Sequence, residues 1–225
     1  MLGLYVLVFG FIFEGKLNED ADIETRFEYA IAIFMGLAIH HFLAEILTIS
    51  PTAILTNPNF IKKVVFPTSI LPTAIVGTAL IHFGISLLLI LIGILSAGLS
   101  VSLTTIWWLP IILLPLIATA IGLSFALSAL AVFWRDILQI TPFLSLALLF
   151  SSAVFYPVAD IPAPAWVVLK FNPLVHWIEE VRKIVFWREL PNLTHIAYIY
   201  IIGALTLIGG LCVFHRLRKY FADIL

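Results

Sequence analysis

Charged residues punctuate this chain, and long uncharged runs lie between them. Residues 64–134 contain no Asp, Glu, Lys or Arg. Small and hydroxylated residues at Gly98, Ser100, Ser102, Thr104 and Thr105 mark a turn that divides this stretch in two. Residues 137–159 form a second uncharged block and 190–215 a third, while 27–49 carries only Glu28 at its mouth and Glu45 within. With the opening run LGLYVLVFGFIF, the pattern predicts six spans: 1–13, 27–49, 68–97, 106–133, 138–157 and 195–214. The runs are continuously apolar rather than alternating, and backbone groups in hydrocarbon must pair within their own segment. The fold class is therefore an all-α integral membrane protein with six transmembrane helices. The run over 1–13 falls short of the ~20 residues a bilayer requires. It lacks the basic leader and small-residue cleavage site of a signal peptide. We read it as the remainder of a span that begins upstream of Met1.

The connection over 158–194 carries structure of its own. Ile161-Pro162-Ala163-Pro164 can open a short helix, about 164–171, far too short to span. Asn172-Pro173 then supplies an N-cap and a first-turn proline. Leu174, Trp177, Ile178, Val181, Ile184 and Val185 follow as one apolar stripe at helical spacing, with Glu179 placed to pair with Lys183 or Arg182 on the other face. Two short helices meeting at a polar corner predict a re-entrant hairpin in this last outer loop. An ordinary amphipathic surface helix is the plainer alternative.

Composition agrees with lipid as the main solvent. Of 225 residues, 62% are hydrophobic and 11% charged, against about 25% charged in soluble domains. The mean hydropathy is +1.14. A formal net charge of −1, with no basic tail, offers nothing to nucleic acid. The length suits one permease-sized domain over 1–225. Cys212 sits in an apolar run, and as a lone cysteine it excludes an internal disulfide. Six spans place both termini on one side. Lys62, Lys63, Arg135, Arg216, Arg218 and Lys219 then share that side; Lys16, Arg26, Lys170, Arg182, Lys183 and Arg188 face the other. Setting aside the four cations of the embedded 158–194 loop leaves six against two, so both termini are expected in the cytoplasm.

Catalytic motifs fail on inspection. Gly10 to Lys16 spells G-x-x-x-x-G-K, but Leu17 stands where a phosphate-binding loop needs Ser or Thr, and bulky apolar residues fill the interval. His41 and Glu45 stand four apart on one helix beside His40, without the third ligand that zinc requires. Glu45 within a span either reaches the interface or contacts a pore or neighbouring helix. Arg135-Asp136 breaks two uncharged blocks, either as a topology-setting loop pair or as a contact for a partner. Aromatics such as Phe9, Phe13 and Phe155 suit an interfacial belt, or a passage whose walls stack on sugar rings.

Taken in order, several of these segments resemble one family. Asn57, Lys62-Lys63-Val64-Val65-Phe66-Pro67 and Ile70-Leu71-Pro72 are similar to the loop after the second span in permease subunits of polysaccharide-export ABC transporters. Phe133-Trp134-Arg135-Asp136-Ile137 resembles that family's arginine–aspartate motif. Phe155-Tyr156-Pro157, Ile161-Pro162, Trp166 and Asn172-Pro173-Leu174-Val175-His176 with Glu179 and Arg182 resemble its outer loop. The likeness covers roughly 50–190 and is nearest to O-antigen exporters; teichoic-acid and capsule exporters share much of it. The family's basic interfacial helix does not appear at the start of this sequence, so its role falls on no residue here.

The resemblance implies a homodimer with its pore on the two-fold axis. Two copies of a separate soluble ATPase would supply ATP and magnesium, and a lipid-linked glycan would cross the inner membrane outward. It implies ATPase coupling through Asn57, Lys62, Lys63, Phe66, Pro67, Arg135 and Asp136. An outer gate would comprise Tyr156, Pro157, Trp166, Asn172, Pro173, His176, Glu179 and Arg182, and Phe9, Phe13, Glu45 and Phe155 are candidates to line the pore. A drug or ion ABC exporter is the alternative within the class. An ion-coupled carrier would need more intramembrane carboxylates than Glu45 and paired broken helices. A membrane transferase would need clustered acids, and none is seen.

Overall fold

A computed structural model describes residues 25–59, 67–96, 98, 107–187 and 189–224. Every regular element among the described residues is helical. The principal helices are α1 (Thr25–Ile49), α2 (Thr52–Leu55), α3 (Ile70–Ser96), α4 (Trp108–Phe133), α5 (Ile137–Ser151), α6 (Ala163–Leu169), α7 (Pro173–Arg182), α8 (Leu193–Leu217) and α9 (Phe221–Ile224). Four helices are long and apolar enough to cross a membrane: α1, α3, α4 and α8 with its C-terminal extension. The expected span over 1–13 lies outside the described residues.

Hydrogen bonds fix which helix ends meet. Ser50 Oγ donates to Ser124 Oγ at 2.9 Å, Ser124 Oγ to Pro72 O at 3.0 Å, and Ser128 Oγ to Ser50 O at 3.0 Å. The end of α1, the start of α3 and the second half of α4 therefore share one level, called here the Ser50 end. At the opposite end, α7 meets the start of α1 and the turn after α5. The long helices run alternately between these two ends. The polar groups at this level are short hydroxyls bonded to one another or to carbonyls, which is how a helix bundle satisfies polarity in hydrocarbon.

α1 and α4 form the centre. Ile31, Ile39, Phe42 and Ile46 of α1 pack with Phe83, Ile112, Leu116 and Trp177 in one cluster. Lipid tails are as apolar as these side chains, so close packing rather than escape from water holds such helices together. The contact of α4 with α8 shows how close. A Cβ on Gly122 would overlap the Thr206 carbonyl, and one on Gly210 would overlap the Gly122 carbonyl. One on Gly203 would come within 2.8 Å of Pro115 O. At the Ser50 end a second cluster of Ile54, Phe125, Ala129, Val132, Phe214 and Phe221 seats α2 and α9 against α4 and α8.

One boundary differs from the sequence reading in an instructive way. The expected span over 138–157 ends at Ser151, because the chain turns at Ala153 with φ 53°. The reason lies elsewhere in the chain, in the side chain that receives the carbonyls of that turn.

Candidate functional site

That side chain is Arg182. Its exposure is 2%, and it lies at the end of α7. Nη1 donates to Ala153 O at 2.9 Å, Nη2 to Val154 O at 2.6 Å, and Nε and Nη2 reach Ala32 O of α1 at 3.4 and 3.3 Å. The last carbonyls of a helix lack partners within it, and a planar guanidinium can serve several at once. Burial lowers the Arg182 pKa to about 10, with Glu179 and then Tyr29 opposing the shift, so it remains a cation near neutral pH. The sequence reading placed Arg182 on a polar face near Glu179. In the fold it is a buried clamp joining α1, α7 and the α5 turn.

Other outer-loop candidates fasten the same corner. Asn172 caps α7, accepting from Leu174 N at 3.1 Å, and its Nδ2 donates to Ser151 O and Oγ, both at 3.1 Å. Tyr156 donates to Phe150 O at 2.9 Å. Pro173 opens α7 at its first turn, and Pro157 precedes a 3₁₀ turn, Val158–Asp160. Trp166 lies on α6, whose Val167 and Val168, with Phe171 just beyond, are exposed. Leu174, Trp177, Ile178, Val181, Ile184 and Val185 are all buried, as their spacing predicts.

The polar side of α7 holds what the sequence reading missed. Lys183 bonds Glu180, not Glu179, at 3.1 Å. Glu180 is fully buried; it also accepts from His195 Nδ1 at 2.6 Å and from the Asn192 backbone N–H at 2.8 Å. Asn192 in turn caps α8 through Thr194 N at 2.9 Å. Glu180 thus ties α7 to the start of α8, where a helix N-terminus favours an anion. His176 packs at a tilt against His195 with ring centroids 4.5 Å apart and bonds Lys170 O at 2.8 Å. Burial lowers its pKa below the ordinary 6.5, with the Lys170 carbonyl opposing. Glu179 Oε2 is buried without a hydrogen-bond partner, and burial raises the pKa of that carboxyl against the pull of Lys183 and Arg182. Spacing alone could not choose between the two adjacent glutamates. The capping signal at Asn192 was the available clue to what Glu180 meets.

Between α1 and α3 a different arrangement appears. The Nδ1–H of His82 donates to both carboxylate oxygens of Glu45, at 3.0 and 3.1 Å, and the His82 side chain is 55% exposed. Glu45 therefore contacts a neighbouring helix. Phe155 lies remote from it at the α7 end, where its carbonyl accepts from Tyr29 at 2.9 Å and its ring lies 6.4 Å from Phe150.

At the Ser50 end, Leu55, Pro58, Arg135, Leu138 and Gln139 line one open cavity of about 480 Å³. Asn57 Nδ2 bonds Ala53 O at 2.9 Å, so its side chain closes the turn after α2. Trp134, Arg135 and Asp136 are exposed between α4 and α5, and Pro67 is exposed before α3. The fold thus brings Arg135 beside the turn that carries Asn57. Lys62, Lys63 and Phe66, like Phe9 and Phe13, lie outside the described residues. Among the described residues no three His, Cys, Asp or Glu side chains form a metal-binding group.

Such a bundle, with long apolar helices and polar turns gathered at its ends, can be compared with known proteins. The model of the ABC-2 type transporter membrane family matches residues 1–186. The chain belongs to this family. An O-antigen export system permease protein RfbA of Klebsiella pneumoniae is 28% identical over 222 residues, 99% of this chain and 83% of that protein. A second from Klebsiella pneumoniae is 27% identical over the same shares. One from Myxococcus xanthus is 24% identical over 98% of this chain and 83% of its own length. An ABC-2 membrane protein is a transport component rather than an enzyme, and its apolar helices make it multi-pass. The ABC-2 match covers α1 through α7, so the clamp, the Glu45–His82 pair and the cavity beside Arg135 all fall within it.

Proposed function

We propose that this ABC-2 protein is the membrane-spanning subunit of an ATP-driven exporter that carries a lipid-linked polysaccharide of O-antigen type across the inner membrane. The observation that carries this reading is the near-full-length likeness to three proteins named as O-antigen export permeases. In it, residues 1–13 contribute a sixth span, α6 and α7 form a re-entrant outer pair, and both termini are cytoplasmic. Two copies enclose the pore, and two copies of a soluble ATPase supply ATP and magnesium chemistry. The lipid-linked glycan enters near the cytoplasmic leaflet.

The Ser50 end faces the ATPase. Asn57, Lys62, Lys63, Phe66 and Pro67 form the coupling segment, with Arg135 and Asp136 beside it. The cavity shared by Pro58 and Arg135 supports this, because a partner element seated there would touch both connections. Ile54 packs with Phe125 and Phe214, so displacement of α2 would be felt by α4 and α8. Tyr156, Pro157, Trp166, Asn172, Pro173, His176, Glu179 and Arg182 belong to the outer gate. Within it Asn172 and Arg182 set the geometry, while the exposed α6 is the part free to move. Phe9, Phe13, Glu45 and Phe155 line the passage.

Co-expression with a candidate partner ATPase tests the reading. A stable complex is expected whose ATP turnover requires the permease. Replacing Lys62, Lys63 and Arg135 together should lower turnover at least ~10-fold, since two or three charged contacts of about 1 kcal/mol would be lost. Undiminished turnover would remove these residues from the coupling surface.

A further inference from the structure

The open side of α1 is polar. Most of α1 is buried, yet Phe34, Leu37, His41, Glu45 and Thr48 form a stripe, at intervals of three and four residues, that is exposed or only half-buried. The adjoining flank of α3 presents Thr78, His82 and Ser86, each four residues from the next. Six polar side chains, His41, Glu45, Thr48, Thr78, His82 and Ser86, therefore share one seam, closed across its middle by the Glu45–His82 bond. At ~1.5 Å rise per residue, Glu45 lies about 7 Å from the Ser50 level and His82 about 15 Å from Pro72. The seam therefore begins at the Ser50 end with Thr48 and runs inward, with the Glu45–His82 pair about two turns inside.

Among the described residues, nothing similar occurs on the other exposed faces of the long helices. α5 presents Ile140, Phe143 and Leu146; α8 presents Ile201, Leu205 and Ile208. Such faces suit lipid tails. A carboxylate–imidazole pair does not, and ionisable groups at this depth face a bundle interior or a water-filled cavity. The three hydroxyls also turn their hydrogens inward. Thr48 donates to Ala44 O, Thr78 to Ala74 O and Ser86 to His82 O, at 2.8, 3.1 and 3.0 Å. Their lone pairs remain for an outside donor, and a chain of sugar hydroxyls is dense in donors.

We propose that the α1–α3 seam is the wetted wall of the translocation path, with Glu45, His82 and the flanking hydroxyls accepting from the hydroxyls of a passing polyhydroxylated chain. This rests on the export reading, which places Glu45 in the passage, and adds His41, Thr48, Thr78, His82 and Ser86 to it. Lipid is excluded from the seam by its polarity, and a second copy of the chain meets it across water.

The test reads water, not transport. In the full permease–ATPase complex in native membranes, Cys212→Ser removes the lone native thiol. Single cysteines are then placed at His82, at Thr78 (close in size, in case H82C fails to fold) and at Ile208 on α8. A negatively charged, membrane-impermeant methanethiosulfonate attacks only hydrated thiolate. Both seam positions should react on the order of 100-fold faster than Ile208→Cys, the penalty that hydrocarbon places on a charge. Rates at T78C and H82C as slow as at I208C would overturn the proposal in favour of a lipid-facing seam. Slow reaction with efficient copper-catalysed disulfide cross-linking between copies would overturn it in favour of a dry dimer contact. Fast labelling with permease-independent ATP turnover would leave the seam standing and remove the export reading beneath it.

Discussion

The α7 corner and the α1–α3 seam are both polar regions in an apolar protein, and they treat polarity in opposite ways. At the corner, Arg182 and Asn172 are taken up largely by backbone carbonyls, and Glu180 by the Asn192 N–H together with Lys183 and His195. In the seam, His82, Thr48 and Thr78 remain exposed, Ser86 is half-buried, and Glu45 is largely covered. A buried polar group that is fully satisfied holds a structure together, whereas a half-satisfied one is costly unless something outside completes it. The corner therefore reads as scaffold, and the seam as a surface waiting for water or ligand.

Substitutions should separate the two by stability. The largest effect is expected for Arg182→Ala, which strands the Ala153 and Val154 carbonyls, removes the tie to Ala32 of α1 and frees the left-handed turn at Ala153. A loss of about 4 kcal/mol follows from buried unpaired acceptors, seen as a fall in the unfolding midpoint in detergent. Arg182→Lys should recover only part of it, lacking the fork. Next comes Glu180→Ala, which leaves Lys183 and the Asn192 N–H without an acceptor and should cost about 3 kcal/mol by the same measurement. If Glu179→Gln proved equally harmful, the distinction between the paired and the unpaired glutamate would break.

A smaller effect belongs to pH. His176 is held neutral by burial, its pKa below 6.5. The unfolded chain takes up the proton first, so this contribution is present above pH 6.5 and is lost as pH falls through the lower, folded-state value. Unfolding midpoints should fall on acidification through that window, and His176→Gln should flatten the response. Smallest in stability is His82→Ala, expected below about 1 kcal/mol because the side chain is over half exposed. Its effect on export should nonetheless be large, assayed as polymer at the cell surface. A strongly destabilised H82A would make the seam scaffold too.

Much of this is legible in the sequence. Uncharged runs marked the long helices, since nothing but an internally bonded helix survives in hydrocarbon. Asn172-Pro173 announced the start of α7, and the stripe from Leu174 to Val185 announced its buried face. The tertiary partners were not legible. Arg182 reaches Ala32, 150 residues away in sequence, and His82 reaches Glu45 across 37. Helical spacing places a side chain on a face but does not say what stands opposite. That is why the span over 138–157 ran too far: the turn at Ala153 is held by Arg182, a partner that spacing within the run does not reveal. The glycines of α4 and α8 bring two backbones into contact, which hydropathy along the chain does not report.

The central claim is that this bundle is a conduit without an engine of its own. It is tested most directly by reconstituting the purified chain, with and without its ATPase, into vesicles loaded on one leaflet with a lipid-linked glycan. The account predicts that glycan becomes accessible on the opposite side only when ATPase, magnesium and ATP are all present. Transfer by the permease alone, or transfer driven by an ion gradient without nucleotide, would contradict it.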